Sequence, residues 1–259
     1  MANYRVIDKQ NWPRKDHFDF YRGFANPSFN LCVPVEAQRL YECAKDRGVS
    51  FFQLALYALV RAANGVPQLK QRLLGDDIIE YDQLAVMTPV MTAQEGFRQV
   101  WCDNAADFAA FSHAATPNIE AAKHTAPAPL IVNGENFFCA SCLPWLHFSA
   151  ITHAEYYVGA AVPALTWGKL KNGIIPVAGK FNHAFVDGLH ASRFFARVEE
   201  GVRRAGDPLA GRINIVPVIP LPRPFPGWLP LPALLQIQHA GCLRLQLQQP
   251  ARFPQNLSH

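Results

Sequence analysis

The chain has 259 residues and a formal net charge of +4, and half of its residues are hydrophobic. This composition is too apolar and too weakly charged for a largely disordered protein, and the length suits one large domain or two small ones. The excess charge comes from four arginines in residues 212–259, which contain no acidic residue. Residues 1–211 are therefore neutral, and we expect no nucleic-acid binding.

The N-terminal sequence lacks an apolar stretch of signal-peptide length, and no run of about 18 apolar residues is free of charge and proline. These patterns predict a cytoplasmic protein that does not associate with a membrane. The six cysteines are accordingly expected to be reduced thiols. Cys139 and Cys142 form a C-x-x-C pair, but no second pair or histidine cluster follows at a spacing suited to zinc, so no metal site is predicted.

Residues 1–211 show alternating helical and strand patterns. Helices are predicted at Glu36–Arg47, at Phe51–Ala63 after the N-cap candidate Ser50, at Asn104–Ala115, and from near Leu189 to Gly206. Strands are predicted at Phe29–Val33, Asp77–Tyr81, Leu84–Thr92, Phe97–Cys102, Asn136–Ser141, Trp145–Ser149, Val162–Trp167 and Ile174–His183. Together these elements predict a mixed α/β domain with a large sheet.

The C-terminal part has a different composition. Seven prolines occur within the 16 residues from Pro217 to Pro232, which predicts an extended, irregular segment. We therefore divide the chain into a domain over residues 1–211 and a Pro-rich basic tail over residues 212–259, to which no role is assigned.

The strongest candidate for chemistry is the H-x-x-x-D-G sequence from His183 to Gly188, at the junction of a predicted strand and a predicted helix. A neutral imidazole can accept a hydroxyl proton near pH 7. Asp187 can order the loop, and Gly188 is expected to free the backbone for a sharp turn. The pattern is short, and a histidine that packs in the core or caps a helix is the alternative interpretation.

This segment resembles the active-site segment of type A chloramphenicol acetyltransferases, members of the coenzyme-A-dependent acyltransferase superfamily. Three further segments resemble the same family in the same order along residues 3–205. They are the opening N-W-P-R-K-D-H-F-D-F-Y-R from Asn11, S-C-L-P-W from Ser141, and P-A-L-T-W-G-K from Pro163. The resemblance implies an α/β fold in which a two-layer mixed β-sheet is covered by helices.

The resemblance also implies a role for each catalytic candidate. His183 is the general base, Ser141 stabilises the oxyanion, and Thr166 contributes through a bound water. Asp187 pairs with Arg14 and holds the loop. An ordinary strand serine, a surface threonine and a solvated arginine are the alternatives that the residue types alone leave open.

Three aromatic residues match family positions that contact substrates. Tyr21 and Phe29 are expected to line the acceptor pocket, and Trp145 is expected to form a wall of the coenzyme A channel. Packing in the core is the alternative for all three.

The implied activity is direct transfer of an acetyl group from acetyl-CoA, as co-substrate, to a hydroxyl of chloramphenicol, which confers antibiotic resistance. The implied assembly is a homotrimer with active sites between subunits. The sequence departs from the family at Asn182, where a histidine is usual, at Val186, where a cysteine is usual, and at His153, which replaces an apolar residue of the acceptor pocket. A different small alcohol or amine as acceptor, and a non-catalytic ligand-binding scaffold, therefore remain alternatives.

Overall fold

The computed structural model describes residues 2–126, 134–155, 157 and 159–205. The strands are β1 (Tyr4–Val6), β2 (Ser28–Glu36), β3 (Gln71–Leu74), β4 (Asp77–Tyr81), β5 (Ala85–Met91), β6 (Phe97–Cys102), β7 (Phe137–Leu143), β8 (Ala164–Gly168) and β9 (Ile174–Asn182). The helices are α1 (Lys15–Tyr21), α2 (Gln38–Asp46), α3 (Phe51–Asn64), α4 (Phe108–Lys123) and α5 (Gly188–Ala205), with a short 3-10 helix at Pro67–Lys70. The predicted tail and its boundary at residue 211 lie outside the described residues.

The strands form two sheets. Strands β1, β4 and β3 make a small antiparallel sheet, and the order β2-β9-β8-β7-β5-β6 makes a larger mixed sheet. In the larger sheet β7 pairs in parallel with both β5 and β8, and the other pairings are antiparallel. The predicted mixed sheet is confirmed.

Helices α3 and α5 cover one face of the larger sheet. Alternating residues of β9, including Val177 and Phe181, belong to the main hydrophobic core on this face. The Phe181 ring contacts Phe194 of α5 at 5.8 Å between ring centroids. Lys180, between the two core positions, is directed to the opposite face.

The predicted α3 is confirmed, including its N-cap. Ser50 has an extended backbone, and its hydroxyl accepts a hydrogen bond from the Gln53 amide at 3.3 Å. The helix is buried around most of its circumference, and Gly65 follows its last residue. Helix α3 is therefore an internal element against which the sheet and α5 pack.

Helix α4 extends beyond its prediction. The side chain of Asp107 accepts a hydrogen bond from Ala110 N at 2.9 Å and sets the start of the helix. The predicted helix ran from Asn104 to Ala115, so it began four residues too early and ended eight residues too soon. The apolar stripe continues past Pro117 to the buried Ile119 and Ala122, and tertiary packing keeps the helix intact.

Four short elements were not predicted: β1, α1, β3 and the 3-10 helix. Helix α1 has seven residues, one of them buried, and no side-chain cap, so it lacks the periodic stripe that identifies a helix in sequence. No helix within the described ranges combines the length and the apolar character needed to span a membrane.

Candidate active site

His183 follows the last residue of β9, and α5 begins five residues later at Gly188. The His183 amide donates to Pro27 O at 2.8 Å, which ties the turn to the segment that precedes β2. Gly188 was expected to free the backbone for a sharp turn, but its φ is not positive and a Cβ there would meet no atom within 4 Å, so this conformation does not require glycine. The position of His183 is set by the junction between β9 and α5.

Two aromatic rings hold the His183 imidazole. Tyr21 stacks on it with centroids 4.0 Å apart and planes 10° apart, and the Phe29 centroid lies 4.8 Å away. The residue is half-buried. Its Nδ1 is enclosed and has no hydrogen-bond partner in the part of the chain that the structure describes. Nε2 is therefore the nitrogen on the accessible side, where it can meet a substrate hydroxyl.

Arg14 holds the backbone of the turn. Its guanidinium donates to the carbonyl oxygens of His183 at 2.8 Å and Ala184 at 3.1 Å, and to Asp187 Oδ2 at 2.6 Å. Arg14 is 9% exposed, so these are largely desolvated charge-assisted bonds. The ion pair thus positions the main chain on which the imidazole sits.

Asp187 also caps α5. Its Oδ1 accepts from the amides of Leu189 at 3.0 Å and His190 at 3.2 Å, and His190 Nδ1 lies 2.9 Å from the same oxygen. Burial raises the pKa of the Asp187 carboxyl, but the hydrogen bonds and charges of His190 and Arg14 outweigh it and hold this pKa well below its usual range. Asp187 is therefore a fixed anion rather than a proton carrier.

Ser141 and Thr166 are direct neighbours on parallel strands. They are register partners in β7 and β8, and Thr166 in turn pairs with Ala178 of β9. Both face away from the main core, because the flanking Ala140 and Leu165 belong to it. Their side chains therefore lie side by side on the face opposite α3 and α5.

The register places the two halves of the predicted site far apart within one chain. Ser141 lies two strands from Ala178, and Asn182 lies four residues further along β9. Strand spacing then gives about 17 Å between the Cα atoms of Ser141 and Asn182, which precedes His183. Within one chain the side chains of Ser141 and His183 therefore start from well-separated backbone positions.

The sequence profile described as chloramphenicol acetyltransferase matches residues 2–199. The chain belongs to the chloramphenicol acetyltransferase family. Chloramphenicol acetyltransferase 3 of Escherichia coli is 26% identical over 205 residues, which cover 76% of this chain and 96% of that protein. Chloramphenicol acetyltransferase 2 of Escherichia coli is 29% identical over 204 residues, covering 74% and 93% respectively.

A solved structure named chloramphenicol acetyltransferase superposes with a TM-score of 0.67 at 30% sequence identity. The match covers 78% of this chain and 98% of that one. This superposition confirms the α/β fold class, with a mixed sheet covered by helices, that was expected for the chain.

Asn182, one departure from the acetyltransferase family pattern, organises the turn. Its side-chain oxygen accepts from Ala184 N at 2.9 Å, and its Nδ2 donates to Gly159 O at 2.8 Å. Its carbonyl accepts from the amides of Phe185 and Val186. The Asn182 side chain therefore links the turn at Ala184 to the backbone at Gly159.

The prediction of a strand at Trp145–Ser149 is wrong. The segment is a loop that crosses the end of β8, where Lys169 N donates to Leu146 O at 2.7 Å. A Cβ on Gly168 would lie 2.6 Å from Leu146 O, so only glycine admits this close approach. Trp145 is consequently carried on the surface with 62% exposure, and packing in the core is excluded for it in this chain.

The structure adds a polar cluster that the residue-by-residue predictions did not include. His153 Nε2 lies 3.0 Å from Thr166 Oγ1, and His153 Nδ1 lies 3.0 Å from Asn30 Oδ1. Lys180, only 1% exposed, donates to Glu155 Oε2 at 2.7 Å beside them. Burial, and then the positive charge of Lys180, lower the pKa of His153 to about 4. A lysine inside the apolar alternation of β9 was the sequence signal for this cluster.

The C-x-x-C cysteines point to opposite faces of β7. Cys139 packs in the small cluster behind the sheet, whereas Cys142 packs against the main core. Burial raises the pKa of Cys142 to about 12, and burial, partly offset by Lys180, raises that of Cys139 to about 11. Both are thiols at neutral pH. Within the described ranges no group of three or more His, Cys, Asp and Glu side chains is arranged to hold a metal ion.

Proposed function

We propose that the chain transfers the acetyl group of acetyl-CoA to a hydroxyl of chloramphenicol and thereby confers resistance to it. The observation that carries the proposal is the His183 ring, clamped by Tyr21 and Phe29 on a backbone held by Arg14, in a member of this family. A ring held in this way keeps one nitrogen directed outward without loss of side-chain entropy on binding.

The proposed reaction is a direct displacement. His183 Nε2 removes the hydroxyl proton, and the hydroxyl oxygen attacks the thioester carbonyl carbon of acetyl-CoA. The carbonyl oxygen becomes an oxyanion, which accepts a hydrogen bond from the Ser141 hydroxyl. When this tetrahedral intermediate breaks down, the C–S bond breaks, and the coenzyme A sulfur takes the proton from the His183 imidazolium.

The substrates are proposed to lie on either side of this reaction centre. Tyr21 and Phe29 line the acceptor side, because they contact the imidazole. The exposed Trp145, on the loop that follows β7, forms a wall for the coenzyme A moiety. Aromatic faces of this kind suit the planar groups of such ligands.

We infer that each active site is shared between two subunits of a homotrimer. The separation of about 17 Å between the Cα atoms of Ser141 and Asn182 within one chain supports this inference, because a serine and a histidine side chain bridge only part of that distance. His183 of one subunit then faces Ser141 and Thr166 of its neighbour. The cytoplasm is the proposed location, because acetyl-CoA is available there.

The activity is tested by thiol release from acetyl-CoA with and without chloramphenicol. We expect His183→Ala to lower kcat by about 10²- to 10⁴-fold, because it removes the general base. His113→Ala, at an exposed position of α4, is the matched histidine control and should retain wild-type activity. No thiol release by folded wild-type protein would exclude chloramphenicol as the acceptor.

The shared site is tested by mixing two inactive variants. Trimers are assembled at random from equal amounts of His183→Ala and Ser141→Ala subunits. A site is intact where a Ser141→Ala subunit supplies His183 and its His183→Ala neighbour supplies Ser141. About a quarter of the wild-type activity should return, because one in four ordered subunit pairs meets this condition. Absence of any recovery in mixed trimers would refute the shared site.

A different small alcohol or amine is the second candidate acceptor. The polar side chain of His153 beside Thr166 favours it, because the family resemblance implies an apolar residue of the acceptor pocket at this position. Thiol release with a panel of hydroxylated and amino compounds, but not with chloramphenicol, would identify this case. Calorimetry with acetyl-CoA separates both enzymes from a non-catalytic scaffold, which would not bind it.

A further inference from the structure

His153 links two side chains of the larger sheet that are not strand neighbours. Asn30 lies on β2 and Thr166 on β8, with β9 between them. The imidazole therefore bridges across β9, whose residue in register with Thr166 is Ala178. The loop that follows Trp145 thus places one histidine between a surface amide and a buried hydroxyl.

The hydrogen-bond partners determine where the protons lie. The backbone amide of His153 points at the same Asn30 atom as Nδ1 does, at 3.4 Å. A backbone N–H can only donate, so that atom is the carbonyl oxygen of the Asn30 amide, which can only accept. His153 Nδ1 therefore carries a proton.

The other ring nitrogen then has a lone pair. Burial and the nearby charge of Lys180 lower the pKa of His153 to about 4, so the ring is neutral at pH 7. A neutral ring with its proton on Nδ1 can only accept at Nε2. The partner at 3.0 Å is Thr166 Oγ1, so the Thr166 hydroxyl donates a hydrogen bond to His153 Nε2.

We propose that His153 is a positioning residue that accepts a hydrogen bond from the Thr166 hydroxyl, so that Thr166 presents only lone pairs to the acceptor site. The inference rests on the proposed function and on the role that the family resemblance implies for Thr166, which is to act through a bound water. Such a water donates one hydrogen to Thr166, and its second hydrogen is then free to point at the developing oxyanion. His153 thereby orders a donor that stabilises the transition state more than the bound substrates.

Histidine NMR tests the proton arrangement independently of activity. In protein with ¹⁵N-labelled imidazoles, the His153 signals are assigned by their loss in His153→Gln. We expect the tautomer with the proton on Nδ1 at pH 7, and a shifted Nε2 resonance in Thr166→Val. Either a proton on Nε2 or an imidazolium at pH 7 would overturn the proposal, whether or not the protein acetylates chloramphenicol.

Kinetics with two substitutions test the consequence for catalysis. Leucine at position 153 cannot accept a hydrogen bond from Thr166, whereas the glutamine amide can accept one and can also donate to Asn30. We expect His153→Leu to lower kcat about tenfold with little change in KM, and His153→Gln to recover most of the loss. His113→Leu, on the exposed surface of α4, is the matched control.

A double-mutant cycle decides whether His153 acts through Thr166. In a Thr166→Val background the His153→Leu substitution should have no further effect on kcat, because the hydroxyl it orients is absent. Additive losses would show that His153 acts by another route and would overturn the proposal. If wild-type protein releases no thiol with any acceptor, the proposed function fails, and the NMR result alone decides the proton arrangement.

Discussion

Replacing Asp187 separates the two tasks of this carboxylate. One oxygen pairs with Arg14 at 2.6 Å, and the other accepts from the first amides of α5. Asp187→Asn removes the charge but keeps an oxygen that can cap the helix. Asp187→Ala removes both, so the difference between the two variants measures the cap.

The geometry sets the size of each effect. Breaking a fully buried ion pair costs about 3–5 kcal/mol, whereas an exposed pair contributes about 0–1 kcal/mol. The Arg14 side chain is 10% exposed and that of Asp187 is 30% exposed, so the pair lies between these limits. We expect Asp187→Asn to lower the free energy of unfolding by about 2 kcal/mol. Loss of the cap in Asp187→Ala should cost about 1 kcal/mol more.

Activity should fall as well. Arg14 also donates a hydrogen bond to the His183 carbonyl. Without the Asp187 charge, the guanidinium will form other hydrogen bonds and shift, and the backbone at His183 will move with it. A displacement of about 1 Å of the imidazole corresponds to a loss of about 100-fold in kcat. The fall in kcat of Asp187→Asn should be larger than the fraction of unfolded protein can account for.

Urea unfolding followed by circular dichroism measures the stability change. All variants are compared at one protein concentration, because the stability of an oligomer depends on it. Asp19→Asn is the matched control: Asp19 pairs with Lys15 at 3.2 Å, and both side chains are about half exposed. It should change stability by less than about 0.5 kcal/mol. If Asp187→Asn unfolds at the same urea concentration as Asp19→Asn and wild type, the positioning role assigned to the Arg14–Asp187 pair is wrong.

Three further predictions concern other residues. Ser141→Ala should lower kcat by about 10²- to 10³-fold in steady-state assays, with KM for chloramphenicol nearly unchanged, because it removes the oxyanion donor. The unfolded chain takes up a proton on His153 near pH 6.5 and the folded chain only near pH 4, so wild type should lose stability as the pH falls between these values. Urea midpoints across this range should decline less in His153→Gln. Ser50→Ala removes the 3.3 Å cap of α3 and should cost about 1 kcal/mol without changing kcat per folded site.

Local patterns were enough to predict the elements around the core. Strand β9 and helix α5 were predicted because alternation in the one and an i, i+3, i+4 stripe in the other follow each other at His183. The segment after Trp145 was predicted wrongly as a strand, since its aromatic and β-favoured residues suit one. Its true path depends on Gly168, more than 20 residues later, which lets Leu146 O approach the backbone. A local pattern contains no such information.

The site was predictable only in part for a similar reason. The H-x-x-x-D-G segment could be recognised because its residues are close in sequence. Contacts between distant segments, such as His153 with Asn30 across 123 positions, depend on the strand register and loop path. The position of Lys180 on the non-core face was implied by alternation, but its partner Glu155 was not.

The same register argument explains why motif order could not reveal the geometry of the site. Ser141 and Thr166 are placed by a parallel pairing, and His183 by the turn that follows an antiparallel strand. Each half is rigid on its own, because strands, aromatic stacking and the Arg14 bonds hold it. Under the proposed mechanism, the two preformed halves, about 17 Å apart between Cα atoms in one chain, serve one reaction when a second copy supplies the missing half. Catalysis in this chain should therefore depend on assembly as much as on folding.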